Sequence, residues 1–499
     1  MADTNSSPED DGHLWMEGKT LVHLNADQPR PTHMPRGPAK RTGPGFLNPA
    51  MAPARTRSIL LLTDALEHDW LVKPGHDVRA LDALCATGVR VRRWRNEVSP
   101  QHQHRLRIAA NDLDAVALDR LITTHERFPP AVSVDHALED DRYERPPSGT
   151  MHNGVFVMQN DARIALMEAA YQWVDIDPFG SPVNFLDAAV QGLSRVAFLE
   201  VTATDTAALT GSSASSQQRR YGAKGIVDSY AHDDAVRVLL GLIATTAARH
   251  DRCIEPVLAL FDGHHVRVSV KVRRSRDGAS DVLQSMGWRV RNDDGTYRFI
   301  QHPAPHEVER ASGPMWVGPL WNASIASRLT EERVLQVCFP SEQELAEHRE
   351  RGLRWDDNDT DHAQRELRRS VRHIAEAADL MSREHALYHM DDVPNMAGTG
   401  QAPKMEALFE AMSKLYFEPR HTCAKLKGAI YYPGASRGPR SPENNSKHST
   451  KATGQTRPCG CSCSAIGLFR SNTSASTSLA GLSTSLCLPP PPPQAVLVF

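Results

Sequence analysis

Between residues 78 and 202 the chain alternates short apolar runs with amphipathic stretches. VRALDAL (78–84), LRIAAND (106–112), VFVMQND (155–161), WVDID (173–177) and VAFLEVT (196–202) are short runs dense in apolar residues and predict strands. Residues 114–125 and 184–193 carry apolar positions at helical spacing, and 58–71 adds a helix with Ser58 as its cap. Strand, helix and strand in repeated order predict an α/β fold, a parallel sheet with helices on both faces. A long apolar helix over 233–249 follows, then HHVRVSVKVRR, whose strict alternation over 265–273 predicts a half-exposed strand.

The organisation expected from this pattern has four parts. Residues 1–45 are polar and rich in Pro, Gly and Asp, an extended arm; 46–254 carry the sheet; 255–432 form a second, α+β domain with a charged helical stretch at 364–384. Residues 433–499 turn to Ser, Pro and Gly, end in PPPPP before a short apolar terminus, and are expected to be disordered. No internal repeat is visible.

Composition narrows the partners. The chain has 499 residues, 40% hydrophobic and 23% charged, enough for domains with real cores, and its net charge of −3 gives no global attraction to nucleic acid. A polyanion would have to be met locally, at the cluster from Arg30 to Arg57 (with Arg36, Lys40, Arg41 and Arg55), at Arg219 with Arg220, or at Arg267 to Arg276. A solvated face is the plainer reading of each. No apolar run reaches the length of a membrane span and no signal-peptide pattern opens the chain, so no membrane partner and a cytoplasmic location are expected. Cys85, Cys253 and Cys338 read as core residues; Cys459, Cys461 and Cys463 lack paired CxxC spacing, and no metal is assigned.

The chemistry collects at strand ends. LDALCATGVR (81–90) is a strand, a tight turn with Gly88, and a helix start, where backbone amides can approach a ligand. It lacks the G-x-G-x-x-G fingerprint, which disfavours a nicotinamide oxidoreductase. The next strand ends in Asn111 and Asp112, an acid placed to accept from ribose hydroxyls, and a third ends in Asn160, Asp161 and Ala162. Each Asp alone reads as a helix cap. Together they suit a nucleoside without phosphate, such as S-adenosylmethionine.

WVDIDPFGSP (173–182) brings the fourth strand to the same edge. Methylation of an exocyclic amine requires its delocalised lone pair to localise, and acceptors for the two amine hydrogens favour that change. Asp177 and the carbonyl of Pro178 supply them, and Asp177 is placed to take the released proton. Phe179 offers a ring for stacking a base, a contact worth about 1–3 kcal/mol, and Gly180 leaves room for close approach. Asp175, two residues earlier, shares the strand face that Asp177 would occupy and is a second candidate.

These motifs resemble the tRNA (guanine-26, N(2))-dimethyltransferase family, over residues 15–429. FLNPAMAPARTRS (46–58), with Asn48, Pro49, Met51 and Arg55, is similar to its N-terminal motif. LDALCATGVR, NDLD, NDA, DIDPFGSP and VTATDTAALTG match its catalytic domain, and RRYGAK, GPMWVGPLW and QAPKMEALFEAM match further along. The resemblance implies a Rossmann-like class I methyltransferase domain that places one or two methyl groups from S-adenosylmethionine on N(2) of guanosine 26 in tRNA. It implies cofactor contacts at Arg55, Arg90, Asp112, Asp161 and Ala162, beside the Gly88 turn, and Asp177 as catalytic carboxylate. The second domain and the basic clusters would hold the tRNA, with a monomer favoured.

The chain departs from the pattern in three places. Thr56 stands where an Asp commonly follows the motif's Arg, residues 287–301 lack the cysteine pairs of many relatives, and KLKGA (425–429) replaces a KTDA-like motif. A DNA amino-methyltransferase and an inactive tRNA-binding protein of the same fold remain as alternatives. GPMWVGPLW and QAPKM disfavour the first, and the intact DPFG disfavours the second.

Overall fold

The computed structural model describes residues 13–24, 30–33, 47–132, 148–292, 297–301, 308–382, 386–389 and 495–498. Strands β1 (His13–Glu17) and β2 (Thr20–Leu24) pair with each other. Strands β3 (Val78–Asp82), β4 (Leu106–Asn111), β5 (Thr150–His152), β6 (Val155–Met158), β7 (Tyr171–Ile176), β8 (Leu193–Ala203), β9 (Arg252–Phe261) and β10 (Val266–Arg274) form one sheet. Its order is β5-β6-β4-β3-β7-β8-β10-β9. The five predicted strands are its parallel centre, β6, β4, β3, β7 and β8.

The β10 strand does not lie half-exposed. It runs antiparallel between β8 and β9, and Val266, Arg267, Val268, Ser269 and Val270 are all buried. Alternation of Val with Arg and Ser reports two faces of different polarity, and here the polar face is covered as well at Arg267 and Ser269, emerging at Arg273. The boundary expected between residues 254 and 255 therefore falls inside β9, a strand of the main sheet. Beyond β10, a three-stranded antiparallel sheet (Met286–Arg291, Tyr297–Gln301, Ala311–Trp316) and the helices Glu331–Cys338 and Asp357–Val371 pack back onto the first part and share its core.

Helix α1 (Ala52–Glu67) begins before Ser58, because Pro53 sits in its first turn, where a missing N–H costs nothing. Asn48 caps the preceding turn by accepting from Ala50 N at 3.0 Å. Ile59, Leu60, Leu61 and Leu62 are each at most 2% exposed, so α1 is enclosed on every side, between the sheet and the C-terminal helices. Helix α2 (Val89–Glu97) starts at Gly88, whose φ of +69° is left-handed; a Cβ there would lie 1.4 Å from Leu121 Cδ1.

Two expectations for the ends of the chain change. Residues 13–24, read as part of an extended arm, form the β1–β2 hairpin, closed by Gly18 (φ +62°) and Lys19. Trp15, Met16, Leu21, Val22 and Leu24 are buried in one cluster with Leu47, Val89 and Phe128 and with Leu345, Leu353 and Trp355, so part of what orders this hairpin lies far along the chain. In the tail read as disordered, Ala495–Val498 is a strand paired in parallel with Ala386–His389. No helix among the described residues is long and apolar enough to cross a membrane.

Buried histidines give the fold a pH dependence. His125, on the helix Ala115–Arg127, is 2% exposed; its Nε2–H donates to Asn153 O at 3.2 Å, and burial pushes its pKa down to about 4. An unfolded histidine titrates near ~6.5, so between those values the unfolded chain binds more protons, and stability is lost as pH falls. Urea unfolding of His125→Gln should show it gaining on the wild type by about 1.4 kcal/mol per pH unit from pH ~6.5 down to ~4.5. A difference that stays flat across that range would mean the ring is not held neutral.

Candidate active site

The loops at the carboxyl ends of β3, β4, β6 and β7 meet along one edge of the sheet. Asn111 ties three of them: its Nδ2 donates to Ala83 O and Asn160 O, both at 3.0 Å, and its Oδ1 accepts from Asn160 N at 3.0 Å. Asp112 accepts from Ala86 N at 2.8 Å and from Asp114 N at 2.9 Å, so this carboxylate is fixed against the turn that leads to Gly88. Asp161 caps the short helix Ala162–Ala165, accepting from Arg163 N at 2.9 Å; hydrogen bonds from the Arg163 side chain hold its pKa down to about 2. Ala162 is buried at the first position of that helix.

On the other side of β3 stands a group of buried charges. Asp82 on β3 is in register with Asp175 on β7, and Asp175 with Glu200 on β8, so three acids lie side by side across neighbouring strands. Directly opposed like charges are unfavourable, and two guanidinium groups offset them. Arg90, from the first turn of α2, reaches Asp177 Oδ2 at 2.7 Å, Asp175 Oδ2 at 3.2 Å and Asp82 Oδ2 at 3.6 Å. Arg267, from β10, pairs with Asp175, lies 3.1 Å from Glu200 Oε1, and donates to Thr202 Oγ1 at 2.7 Å. Glu200 also accepts from Ser58 of α1 and from Ser269 Oγ at 3.0 Å.

These carboxylates outnumber the two guanidinium groups, and burial works against holding all of them charged. Burial pushes the Asp82 carboxyl up to about 8, with Asp175 and Asp177 adding to the rise against Arg90. Burial raises Asp175 too, in spite of Arg267 and Arg90. Burial therefore favours the neutral form of Asp82. Burial also pushes the Cys85 thiol up, so it stays protonated and inert in this edge.

Asp177, Pro178, Phe179 and Gly180 leave the end of β7 in a turn. Phe179 is 77% exposed, and Gly180 has a φ of +86°, which favours glycine. Of the residues singled out in the sequence, Gly88, Arg90, Asp112, Asp161, Ala162, Asp175 and Asp177 to Phe179 all belong to strand ends and loops on this one edge. Arg55 is not brought into their hydrogen-bond network. Its guanidinium makes two bonds of 2.6 Å to Glu17 and one of 2.9 Å to Asn48 O, and Glu17 also receives Arg93 Nη1 at 3.1 Å. Thr56 is anchored by its own contact, accepting from Arg93 Nη1 at 3.0 Å.

The basic clusters divide between the interior and the surface. Arg55, Arg57 and Arg267 are buried in ion pairs, and Arg30 pairs with Asp359; Arg219, Arg273, Arg274 and Arg276 are exposed. Arg36, Lys40 and Arg41 lie outside the described residues, as do Cys459, Cys461 and Cys463. Among the described residues no group of His, Cys, Asp and Glu is arranged to hold a metal ion. Sequence reasoning missed Asp82, Glu200 and Arg267 as parts of this edge. The available signal was a charge inside an apolar strand, as in AFLEVT and VRVSV.

Comparison with known proteins identifies the family. Residues 38–429 match the model of the N2,N2-dimethylguanosine tRNA methyltransferase family. A tRNA (guanine(26)-N(2))-dimethyltransferase from Pyrococcus furiosus is 30% identical over 302 residues, 60% of this chain and 73% of that one. Those from Thermoplasma volcanium and Thermoplasma acidophilum are 36% and 35% identical, and there the chain spans about half of the relative, 46% and 53% of its length. A solved structure of Trm1 from Pyrococcus horikoshii with S-adenosyl-L-methionine has the same fold, with a TM-score of 0.52 and 24% identity over 70% of this chain and 87% of that one.

Removing one cation from the row should be costly. Arg267→Met leaves Asp175 buried with Arg90 as its remaining guanidinium partner and removes the guanidinium that faces Glu200. A loss of about 3–5 kcal/mol is expected in urea unfolding, the size seen when one member of a buried pair is deleted. A change below about 1 kcal/mol would show that water or rearrangement replaces the arginine.

Proposed function

We propose that this chain, which belongs to the N2,N2-dimethylguanosine tRNA methyltransferase family, transfers one or two methyl groups from S-adenosylmethionine to the exocyclic N(2) of guanosine 26 in tRNA. The observation that carries the proposal is the joining of Asp177 to the Asp112 edge: the acid that suits an amine and the acid that suits a ribose stand on loops of the same sheet end. They are linked through α2, which begins at the Gly88 turn and carries Arg90.

The cofactor fits the residues present. Asp112 is held against the Gly88 turn by two backbone amides yet remains part-exposed, which leaves lone pairs for hydroxyl donors. Ala162 supplies a small side chain at a helix start beside Asp161. Arg90 is already engaged by Asp175, Asp177 and Asp82, so its part is to hold the carboxylates of this edge in place. When bound, S-adenosylmethionine supplies an electrophilic methyl carbon on a positively charged sulfur.

The chain's own groups prepare the acceptor. The Asp177 carboxylate and the Pro178 carbonyl accept the two hydrogens of the guanine amine and draw its lone pair out of the ring. Asp177 then receives the proton released as nitrogen gains a methyl group. Phe179, already outward-facing, stacks the base once it has left the tRNA helix. The exposed arginines and the C-terminal part meet the tRNA backbone by charge and shape.

Mass spectrometry of nucleosides from unmodified tRNA incubated with S-adenosylmethionine tests the reaction. The wild type should make N(2)-dimethylguanosine. Asp177→Ala should lose at least about 100-fold in turnover with cofactor affinity little changed, the scale of general acid–base catalysis. Asp112→Ala should instead weaken cofactor binding, read by calorimetry. Full turnover by Asp177→Ala would refute the catalytic assignment, and methylated DNA with unmodified tRNA would refute the substrate.

A further inference from the structure

The motifs VTATDTAALTG and RRYGAK are not used by the chemistry above, and the structure brings both to the turn that carries Phe179. Thr204, just past β8, grips the turn twice: its N–H donates to Gly180 O at 2.9 Å, and its Oγ1 accepts from Gly180 N at 2.6 Å. Tyr221, at the end of the helix Ala214–Tyr221, is 6% exposed and lies 3.1 Å from Ser181 Oγ. Its hydroxyl donates to Asp205 Oδ1 at 2.6 Å, and Asp205 Oδ2 accepts from Arg220 Nη1 at 2.8 Å.

The direction of this chain of bonds is fixed. A phenol has one proton, and it goes to the carboxylate, so Ser181 must donate to Tyr221. Burial raises the Tyr221 pKa and the bond to Asp205 adds to it, which keeps the proton in place. The helix has its own anchor: Gln217 Nε2 donates to Leu209 O at 2.9 Å and its Oε1 accepts from Gly225 N at 2.6 Å. Tyr221 is therefore not needed to hold the helix.

We infer that Thr204 and the Tyr221–Asp205–Arg220 chain are positioning residues for the DPFG turn, clamping it on both sides of Gly180 so that the exposed Phe179 ring and the Pro178 carbonyl meet the target base in one geometry. This inference rests on the reading of Asp177, Pro178 and Phe179 as the amine site. A glycine with positive φ and an outward-facing aromatic make a turn that would otherwise sample several conformations, and each lost arrangement slows transfer without affecting the distant Asp112 edge. Arg220, in a motif that reads as a basic patch, is thereby assigned to the clamp as well as the surface.

The test uses the full-length protein and four variants: Tyr221→Phe, Thr204→Val, Thr204→Ser and Asp177→Ala. Tyr221→Phe keeps the ring and removes one hydroxyl; Thr204→Val keeps the shape and removes one acceptor. Each should lower kcat for unmodified tRNA by about ten-fold, with S-adenosylmethionine affinity within about two-fold of wild type, as expected for the loss of one orienting hydrogen bond. Thr204→Ser should recover most of the rate. Turnover is counted per cofactor-binding site, so a variant that merely folds less well shows wild-type kcat and a lowered Tm, and that result overturns the clamp. Wild-type kcat in both Tyr221→Phe and Thr204→Val, with Asp177→Ala inactive, refutes the clamp alone. Turnover by Asp177→Ala overturns the clamp together with the reading beneath it.

Discussion

The rest of the structure depends on a row of buried acids. Asp82, Asp175 and Glu200 are register partners on β3, β7 and β8, and each is at most 2% exposed. Left alone, the row would push these strands apart. Arg90 and Arg267 hold it together, and each cation arrives from a different element, α2 on one side and β10 on the other. Ser58 of α1 completes the shell of Glu200. The antiparallel insertion of β10 beside β8 is thus more than a topological ornament, because it delivers Arg267 to the centre of the sheet.

The central sheet was legible because its strands are short apolar runs bounded by Gly, Asn and Asp, and because Asp114, a capping acid, precedes a helix with a clear stripe. The edge was legible for the same reason: Asp112, Asp161 and Asp177 stand where strands stop. The β1–β2 hairpin was not, since partners such as Leu345, Leu353 and Trp355 lie far along the chain and no local period announces them. Arg55 shows the limit of transferring a motif. Its position in FLNPAMAPARTRS was recognised, but its ionic partner, Glu17, comes from the hairpin that the sequence pattern concealed.

Helix α2 misleads in an instructive way. VRVRRWRNE is dense in arginine, yet Arg90, Arg92, Arg93 and Arg95 are all at most 4% exposed. Each finds an acceptor suited to its place. Arg92 donates to Leu21 O at 2.6 Å, Arg93 to Glu97 at 2.7 Å, and Arg95 to Gly154 O at 2.5 Å. Arg92 has no carboxylate partner among the described contacts, and burial lowers its pKa to about 9. A helix of arginines can be internal when a neighbouring strand, a turn and its own glutamate present acceptors to it, and such distant backbone acceptors are what a sequence pattern reports least.

Buried charges of this kind are an inefficient way to gain stability, because well-packed apolar residues of similar volume often do as well or better. Their value here follows from where the row ends. Arg90 touches Asp82, Asp175 and Asp177 together, so the carboxylate proposed to meet the amine is the outermost member of the same network that holds the sheet. Its orientation is set by α2, and α2 starts at the Gly88 turn that Asp112 fastens. An apolar core could not transmit position in that way. The acids are costly in isolation and become useful as a set, since one network, tied by Arg90 and Arg267, joins the edge that suits a nucleoside to the turn that suits a base.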